Sequence, residues 1–169
     1  DDIILNKYNQ LDRINHVHTP GNSSGIVDGA AALVLASPEY ARSNELKPRA
    51  RVRAMANMGH SPEYILNGPV DAANKVLKKA GMNLDDIDLF EVNEAFAVVP
   101  MKFMRDLNID HDKLNVNGGA IALGHPIGAT GSMLIGTVLD ELERRDKTTG
   151  LVTMCAAGGM APAMIIERV

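Results

Sequence analysis

Short apolar runs alternate along the chain with longer segments in which apolar residues recur every three or four positions. The short runs have the length of buried strands, and the longer segments have the period of helices that pack along one side. Strands are predicted at residues 30–36, 49–58, 87–92, 151–154 and 161–166. Strands that alternate with helices predict an α/β fold with a five-stranded mixed β-sheet, helices on both faces, mainly parallel pairing and an antiparallel edge formed by the last two strands.

Glycine, proline and capping residues predict where the helices begin and end. Ser37 before Pro38 predicts a short helix with the serine as its N-cap. Gly81 predicts the end of a longer helix, and Pro100 predicts a kink within another. The longer helices are predicted at residues 70–79, 94–107 and 127–145, and a single turn is predicted at residues 83–86.

Length and composition indicate one domain and exclude two classes of partner. The chain has 169 residues, of which 46% are hydrophobic, enough for one domain with a sizeable core. Residues 1–18 are interpreted as the remnant of a preceding region, and residues 19–169 as the domain. The net charge of -4 is spread over mixed acidic and basic residues, so no surface for nucleic acid is predicted. No apolar run approaches the roughly 20 residues of a membrane span, so no membrane partner is predicted.

The candidate chemistry lies in a glycine-rich stretch at residues 115–131 and in the only cysteine of the chain. His125 stands among five glycines and before Pro126, where the backbone can approach a ligand and a helix N-terminus favours developing negative charge. Cys155 follows a predicted strand and precedes a turn of small residues. An imidazole and a thiol so placed indicate acyl transfer. Each also has a structural interpretation, the cysteine as a buried small hydrophobe and the histidine as a turn residue.

A single cysteine also bears on the compartment. It cannot form an internal disulfide, and the chain opens with no secretion signal pattern. A reducing compartment, the cytoplasm or an organelle matrix, is therefore predicted.

Two other patterns concern candidate polar and phosphate-binding sites. Asn93 and Glu94, at a strand-to-helix junction, are either a capping pair with Asn93 as N-cap or part of a polar site in which Glu94 serves as a base. The glycine spacing at residues 119–124 is similar to that of a phosphate-binding loop, but His125 and Pro126 replace the required lysine and hydroxyl residue, which excludes nucleotide hydrolysis. The other four histidines show no metal-ligand spacing, so no metal site is predicted.

Four motifs together resemble the C-terminal half of the thiolase family. They occur in the order of the family and extend from about residue 18 to residue 169. The motifs are residues 21–25 with 28–31, 93–96, 115–131 and 155–160. The resemblance implies an acyltransferase reaction, either thiolytic cleavage of a 3-ketoacyl-CoA or the reverse Claisen condensation, with coenzyme A as a substrate and no permanently bound cofactor.

The resemblance also implies roles for individual residues. His125 would activate the nucleophilic thiol and donate a hydrogen bond to the thioester oxygen, while Asn93 would position a water at the same oxyanion hole. Cys155 would be the acid and base that moves the proton of the α-carbon or of the CoA thiol. The residues that would contact the substrate and CoA are Ser24 at the pantetheine, Ala95 and Phe96 at the acyl group, and Ala157 and Gly158 at a second oxyanion hole.

Departures from the family pattern set further expectations. Ala157 stands where the family usually has glycine, so its φ must be negative if the turn is to be unstrained. Ile65 and Leu66 replace a Met-Gly pair, so no acyl chain preference carries over. The attacking cysteine of the family lies in the N-terminal half, and Cys155 does not match that motif. The chain is therefore predicted to be inactive alone, to pair with an N-terminal thiolase half, and to form a homo-oligomer.

Two other functions remain open from the sequence. One is a non-catalytic module that binds acyl-CoA or lipid on the thiolase scaffold, although Asn93, His125 and Cys155 together exceed what binding requires. The other is a hydrolase in which Cys155 is the nucleophile and His125 its base.

Overall fold

Four strands form one mixed sheet in the computed structural model, which describes residues 1–169. The strands are β1 (Ala50–Gly59), β2 (Leu89–Val92), β3 (Thr149–Thr153) and β4 (Met160–Arg168). Their order is β1-β4-β3-β2, with β2 parallel to β3 and the other two pairings antiparallel. The α/β class, the mixed sheet and the terminal hairpin β3–β4 are as predicted. The sheet is not mainly parallel, because only one of its three strand pairings is parallel. β1 pairs with the free side of β4, so β4 lies in the interior of the sheet and not at its edge.

The predicted fifth strand, at residues 30–36, is absent. This run has no regular secondary structure and pairs with no strand, and its side chains are exposed, Val34 to 92% and Leu35 to 81%. An apolar run becomes a strand only where a neighbouring strand takes up its backbone N–H and C=O groups. No strand of this chain lies beside residues 30–36, so the prediction of five strands is wrong for this chain.

The chain has six helices. They are α1 (Asp2–Lys7), α2 (Pro38–Ser43), α3 (Gly68–Ala80), α4 (Val98–Leu107), α5 (Ala120–Leu123) and α6 (Thr130–Arg144). Of these, α3, α4 and α6 pack in the hydrophobic clusters of the chain, and α1 and α2 contain no buried residue. The start of α2 is as predicted, because the Ser37 hydroxyl oxygen accepts a hydrogen bond from the Tyr40 N–H at 3.1 Å. The helix predicted at residues 70–79 is α3, and Gly81 ends it in the left-handed conformation.

Two helices begin later than predicted, and both shifts bear on the site. Because α4 begins at Val98, Asn93 is not its N-cap, and the capping interpretation is wrong. Pro100 falls in the first turn of α4, where its missing N–H costs no helical hydrogen bond, so it causes no kink. Residues 127–129 form a turn rather than helix, and α6 begins at Thr130.

Two hydrophobic clusters cover the two faces of the sheet. Phe90 of β2 packs in a cluster with Val76 of α3 and Phe103 of α4. Leu89, the neighbour of Phe90, packs in the second cluster with Val138 of α6. Successive side chains of a strand point to opposite faces, so the helices lie on both faces of the sheet, as predicted. None of the helices is long and apolar enough to span a membrane.

Candidate functional site

The ends of two adjacent parallel strands carry two of the predicted site residues. Val92 of β2 is paired with Thr153 of β3, and each is the last residue of its strand. Asn93 follows directly and donates its backbone N–H to the carbonyl oxygen of Thr153 at 3.0 Å. Cys155 lies two residues beyond Thr153. Asn93 and Cys155 therefore lie at the same end of the sheet, where α/β folds collect ligands.

The side chains of Asn93 and His125 are in contact. The Asn93 amide nitrogen Nδ2 lies 3.3 Å from the His125 ring nitrogen Nε2. Asn93 is only 1% exposed, and its carbonyl oxygen Oδ1 is buried without a hydrogen-bond partner. Most buried polar atoms in folded proteins have a partner, so an orphaned acceptor beside a histidine indicates a place for a water or a ligand donor.

Thr130 fixes the tautomer of His125. Its hydroxyl donates a hydrogen bond to the Pro126 carbonyl oxygen at 3.0 Å, and its oxygen lies 2.7 Å from the His125 ring nitrogen Nδ1. Because the one hydroxyl hydrogen goes to Pro126, the threonine oxygen accepts a hydrogen bond from the Nδ1–H group. The other ring nitrogen, Nε2, then carries a lone pair and faces Asn93.

Burial keeps the His125 imidazole neutral. Its pKa lies below the ordinary value of 6.5, because removal from water disfavours the charged imidazolium. At neutral pH the ring is therefore a base with its lone pair on Nε2. A base of this kind can take a proton from a thiol placed against it.

The surroundings of Cys155 favour its neutral thiol, whereas those of a nucleophilic cysteine favour the thiolate. The side chain is partly buried against the cluster of α3 and α4, and burial raises the pKa of the thiol above its ordinary value. No hydrogen bond joins Cys155 to His125 or Asn93. A neutral thiol at this position can give or take a proton but carries little thiolate at neutral pH.

The turn after Cys155 has the geometry that the alanine substitution requires. Ala156 and Met160 exchange two backbone hydrogen bonds, of 2.7 and 3.2 Å, across this turn. Ala157 is not among the residues with positive φ, so its methyl group causes no backbone strain. Gly158, the next residue, has φ of 78°.

The residues predicted to contact CoA and the acyl group form one cluster next to His125. The backbone N–H of Ser24 and its hydroxyl both donate hydrogen bonds to the carbonyl oxygen of Ala95, at 3.0 and 3.1 Å. Phe96 forms an isolated bridge with Ser23, and its ring centre lies 4.7 Å from that of His18. The structure thus brings Ser24, Ala95 and Phe96 together.

Residues 25–27, which directly follow Ser24, pack on the loop that carries His125. The His125 N–H donates a hydrogen bond to the Gly25 carbonyl oxygen at 2.9 Å. Gly124 has φ of 91°, and a methyl group there would lie 2.5 Å from the Val27 side chain. Gly124 is therefore required both by its conformation and by this close approach.

The sequence did not point to Thr130, and it left Glu94 undecided. A hydroxyl residue five positions after His125, near the start of a predicted helix, was the available signal for Thr130. The Glu94 carboxylate does not face His125 as a hydrogen-bond partner; it accepts hydrogen bonds from Asn115 and from the backbone N–H of Ile121. No local pattern predicts such contacts, because they join residues more than 20 positions apart.

Comparisons with known proteins agree with the resemblance in the sequence. The family model described as thiolase, C-terminal domain, matches residues 46–168. The chain is 51% identical to the acetyl-CoA acetyltransferase of Escherichia coli strain K12 over 150 residues, which cover 89% of this chain and 38% of that protein. It is 48% identical to the 3-ketoacyl-CoA thiolase of Serratia proteamaculans strain 568 over 163 residues, 94% of this chain and 42% of that protein.

The fold has a close counterpart among solved structures. The crystal structure of the Bacillus anthracis acetyl-CoA acetyltransferase superposes with a TM-score of 0.87 at 41% identity, over 89% of this chain and 38% of that one. The chain therefore spans about two fifths of the length of these relatives. From the family match, the identities and the shared fold, the chain belongs to the thiolase family.

Proposed function

We propose that this chain supplies the proton-transferring half of a thiolase active site that acts on CoA thioesters. The reaction is thiolytic cleavage of a 3-ketoacyl-CoA or the reverse Claisen condensation. The observation that carries the proposal is the contact between Asn93 and the neutral His125, in which Nε2 holds a lone pair beside an unpartnered acceptor. This pair offers a base and a water site at one point, which is what the attack of a thiol on a carbonyl carbon requires.

His125 has two tasks in the proposed mechanism. Its Nε2 takes the proton of the attacking cysteine thiol, which the N-terminal half of a thiolase provides, and the sulfur forms a bond to the carbonyl carbon of the substrate. The imidazolium so formed then donates its Nε2–H to the oxygen that becomes negative. A water held by Asn93 supplies a second donor to the same oxygen, and a buried setting strengthens both hydrogen bonds.

Cys155 moves the other proton. In thiolysis its neutral thiol protonates the α-carbon as the carbon–carbon bond breaks, and its thiolate then takes the proton of the CoA thiol that attacks the acyl group. The raised pKa of Cys155 suits a group that starts as an acid. We assign the backbone N–H groups at Ala157 and Gly158, in the turn after Cys155, to the second oxyanion hole of this reaction.

The raised pKa of Cys155 also argues against a hydrolase that uses this thiol as its nucleophile. Nucleophilic cysteines have lowered pKa values, set by a neighbouring histidine or a helix N-terminus. Cys155 forms no hydrogen bond with His125, and burial raises its pKa instead. The acid and base role accounts for both observations.

Coenzyme A is the proposed ligand of the cluster around Ser24, with no permanently bound cofactor. The proposed protein partners are an N-terminal thiolase half and a second copy of the assembled enzyme. The exposed apolar run at residues 30–36 supports such a partner, since Val34 and Leu35 are almost entirely in water in the chain alone. We propose the domain boundary at residue 18, because backbone hydrogen bonds to the rest of the domain begin only beyond it, with the Asn22 carbonyl oxygen, which accepts from the Ala97 N–H at 2.9 Å.

Assembly with an N-terminal half provides the first test. Acetoacetyl-CoA and CoA are supplied to the purified chain and, separately, to a chimera in which the chain replaces the matching 38% of the Escherichia coli acetyl-CoA acetyltransferase. We expect the chimera to form acetyl-CoA and the chain alone to form none above the rate in buffer, because the attacking thiol is missing. Thiolysis by the chain alone would contradict the proposed division of the site.

The binding-module alternative makes a different prediction for the same chimera. If the scaffold only binds acyl-CoA, alanine substitutions of Asn93, His125 and Cys155 leave turnover unchanged. The proposed function requires each of them to lower kcat.

A further inference from the structure

Glu94 lies next to Asn93, but its side chain is directed to the loop that carries His125. One carboxylate oxygen, Oε1, accepts a hydrogen bond from the side-chain amide of Asn115 at 3.0 Å. The other, Oε2, accepts one from the backbone N–H of Ile121 at 3.2 Å. Ile121 is the second residue of α5, so the carboxylate caps a helix that its own N-cap, Gly119, cannot cap with a side chain. One side chain thus connects the end of β2 to the short helix before His125.

Asn115 fixes the beginning of the same loop on β2. Its side-chain carbonyl accepts a hydrogen bond from the Val92 N–H, and its amide donates one to the Val92 carbonyl oxygen, both at 2.8 Å. Because β2 is an edge strand, these backbone groups have no strand partner on that side, and the Asn115 side chain replaces one. Both bonds also fix the orientation of the Asn115 amide, so that its remaining hydrogen is directed to Glu94.

Gly119 allows the carboxylate to approach the loop. A methyl group on Gly119 would overlap the carboxyl group of Glu94. The backbone of Gly119 is extended, with φ of -146° and ψ of -164°, so its conformation does not itself require glycine. The contact with Glu94 is therefore the physical reason for glycine at this position.

We propose that Glu94 is a positioning residue that, with Asn115 and Gly119, holds the loop of residues 115–124 so that His125 faces Asn93. The proposal rests on the proposed thiolase function, in which His125 must lie against the reacting thiol. The path is short: β2 ends at Val92, Asn93 follows, Glu94 holds the start of α5, and α5 leads through Gly124 to His125. A geometry error of about 1 Å in a reacting group can cost on the order of 100-fold in rate, so a residue that sets this path affects catalysis without touching substrate.

An isosteric substitution separates this role from a purely structural one. Glu94→Gln keeps the size of the side chain but has a single carbonyl oxygen, so it cannot accept from Asn115 and Ile121 with two separate oxygens. In the chimera we expect kcat to fall about 10- to 100-fold, with KM for acetoacetyl-CoA changed less than about twofold. Glu39→Gln, at an exposed glutamate of α2, is the matched control.

A second variant perturbs the same contact from the other partner. Gly119→Ala places its methyl group into the carboxylate and leaves Glu94 unchanged in chemistry. We expect it to lower kcat in the same way, and we expect the double variant to be little worse than either single one, because both remove one contact. Gly136→Ala in α6, where a methyl group meets no atom within 4 Å, controls for the loss of a glycine.

A spectroscopic readout keeps this test separate from the test of function. In the chain alone, nitrogen NMR of the His125 ring reports its tautomer and its pKa, and we expect both Glu94→Gln and Gly119→Ala to move that pKa toward the ordinary histidine value. An unchanged His125 titration in both variants, or an unchanged kcat in the chimera, would overturn the positioning role. If the unsubstituted chimera has no thiolase activity, the proposed function fails, and the NMR comparison alone then decides whether Glu94 positions His125.

Discussion

Replacing His125 by alanine in the chimera should lower kcat for thiolysis by about 100- to 10,000-fold, the usual contribution of a positioned general base. The neutral ring donates its Nδ1–H to Thr130, and the lone pair on Nε2, next to Asn93, can take a thiol proton. Because the substitution removes a group that acts during reaction, KM should change far less than kcat. His111→Ala, at an exposed histidine, is the control and should leave kcat unchanged.

The pH dependence of the unsubstituted chimera gives the same prediction an independent check. Burial lowers the pKa of His125, so the base stays deprotonated to a lower pH than an exposed histidine does. We expect kcat/KM to stay level as pH falls through 6.5 and to decline only below the lowered pKa. A kcat for His125→Ala within twofold of the unsubstituted chimera would exclude His125 as the base.

A buried glutamate beneath the site should control the stability of the chain. Glu91 is 2% exposed on β2 and forms no side-chain hydrogen bond. It shares a face of the strand with Leu89, two residues earlier, and therefore faces α6. Burial in this apolar setting, with a smaller contribution from the charge of Glu94, raises the pKa of Glu91 from 4.5 to about 8.

The sign of the effect follows from the proton that the folded chain retains. Between pH 4.5 and 8 the unfolded chain releases the Glu91 proton while the folded chain keeps it, so the free energy of unfolding falls as pH rises through this window. At pH 7 the loss is on the order of 3 kcal/mol. Glu91→Gln has no proton to release, so it should match the unsubstituted chain near pH 4.5 and exceed it by up to this amount at pH 7.

Urea unfolding of both proteins from pH 4.5 to 8.5 measures this difference directly. Glu39→Gln, at an exposed glutamate, should give no pH-dependent difference from the unsubstituted chain. Parallel stability curves for Glu91→Gln and the unsubstituted chain would show that Glu91 ionises in the folded state at an ordinary pH.

The parts of the fold that the sequence predicted depend on local signals. Gly81 ends α3 because a glycine readily adopts the left-handed conformation that terminates a helix, and this signal requires no contact with distant residues. The hairpin of β3 and β4 has apolar runs on both sides of a glycine turn, and neighbouring strands of a chain commonly pair. Such features require no knowledge of distant contacts.

The incorrect predictions concern segments whose structure depends on contacts with residues distant in the sequence. The run at residues 30–36 has the composition of a strand, but a strand also needs an edge to pair with, and this chain offers none there. The start of α4 was placed four residues too early, because the segment around Ala95 is held outside the helix by Ser24. An amphipathic period does not reveal such a hydrogen bond between residues 71 positions apart.

In the candidate site, too, the residue types follow from local motifs, whereas their arrangement depends on contacts in the folded chain. The residue types in the motifs at Asn93, His125 and Cys155 predicted which groups could carry acyl-transfer chemistry. The tautomer of His125 depends on Thr130, and the position of its loop depends on Glu94, and both contacts are set by the folded chain.

The location of the acyl group on the chimera distinguishes a Cys155 that transfers protons from a Cys155 that acts as nucleophile. After brief incubation with acetyl-CoA and quenching, peptide mass spectrometry identifies the acetylated residue. We expect the acetyl group on a cysteine of the N-terminal part and an unmodified Cys155, because Cys155 moves protons and forms no thioester. The variant Cys155→Ser should become acetylated more slowly, still on the N-terminal cysteine, and should not complete turnover, since Cys155 also protonates the departing CoA thiolate and a hydroxyl group is too weak an acid for either proton transfer. An acetyl group on Cys155 itself would make this thiol the nucleophile and would contradict its role as the acid and base.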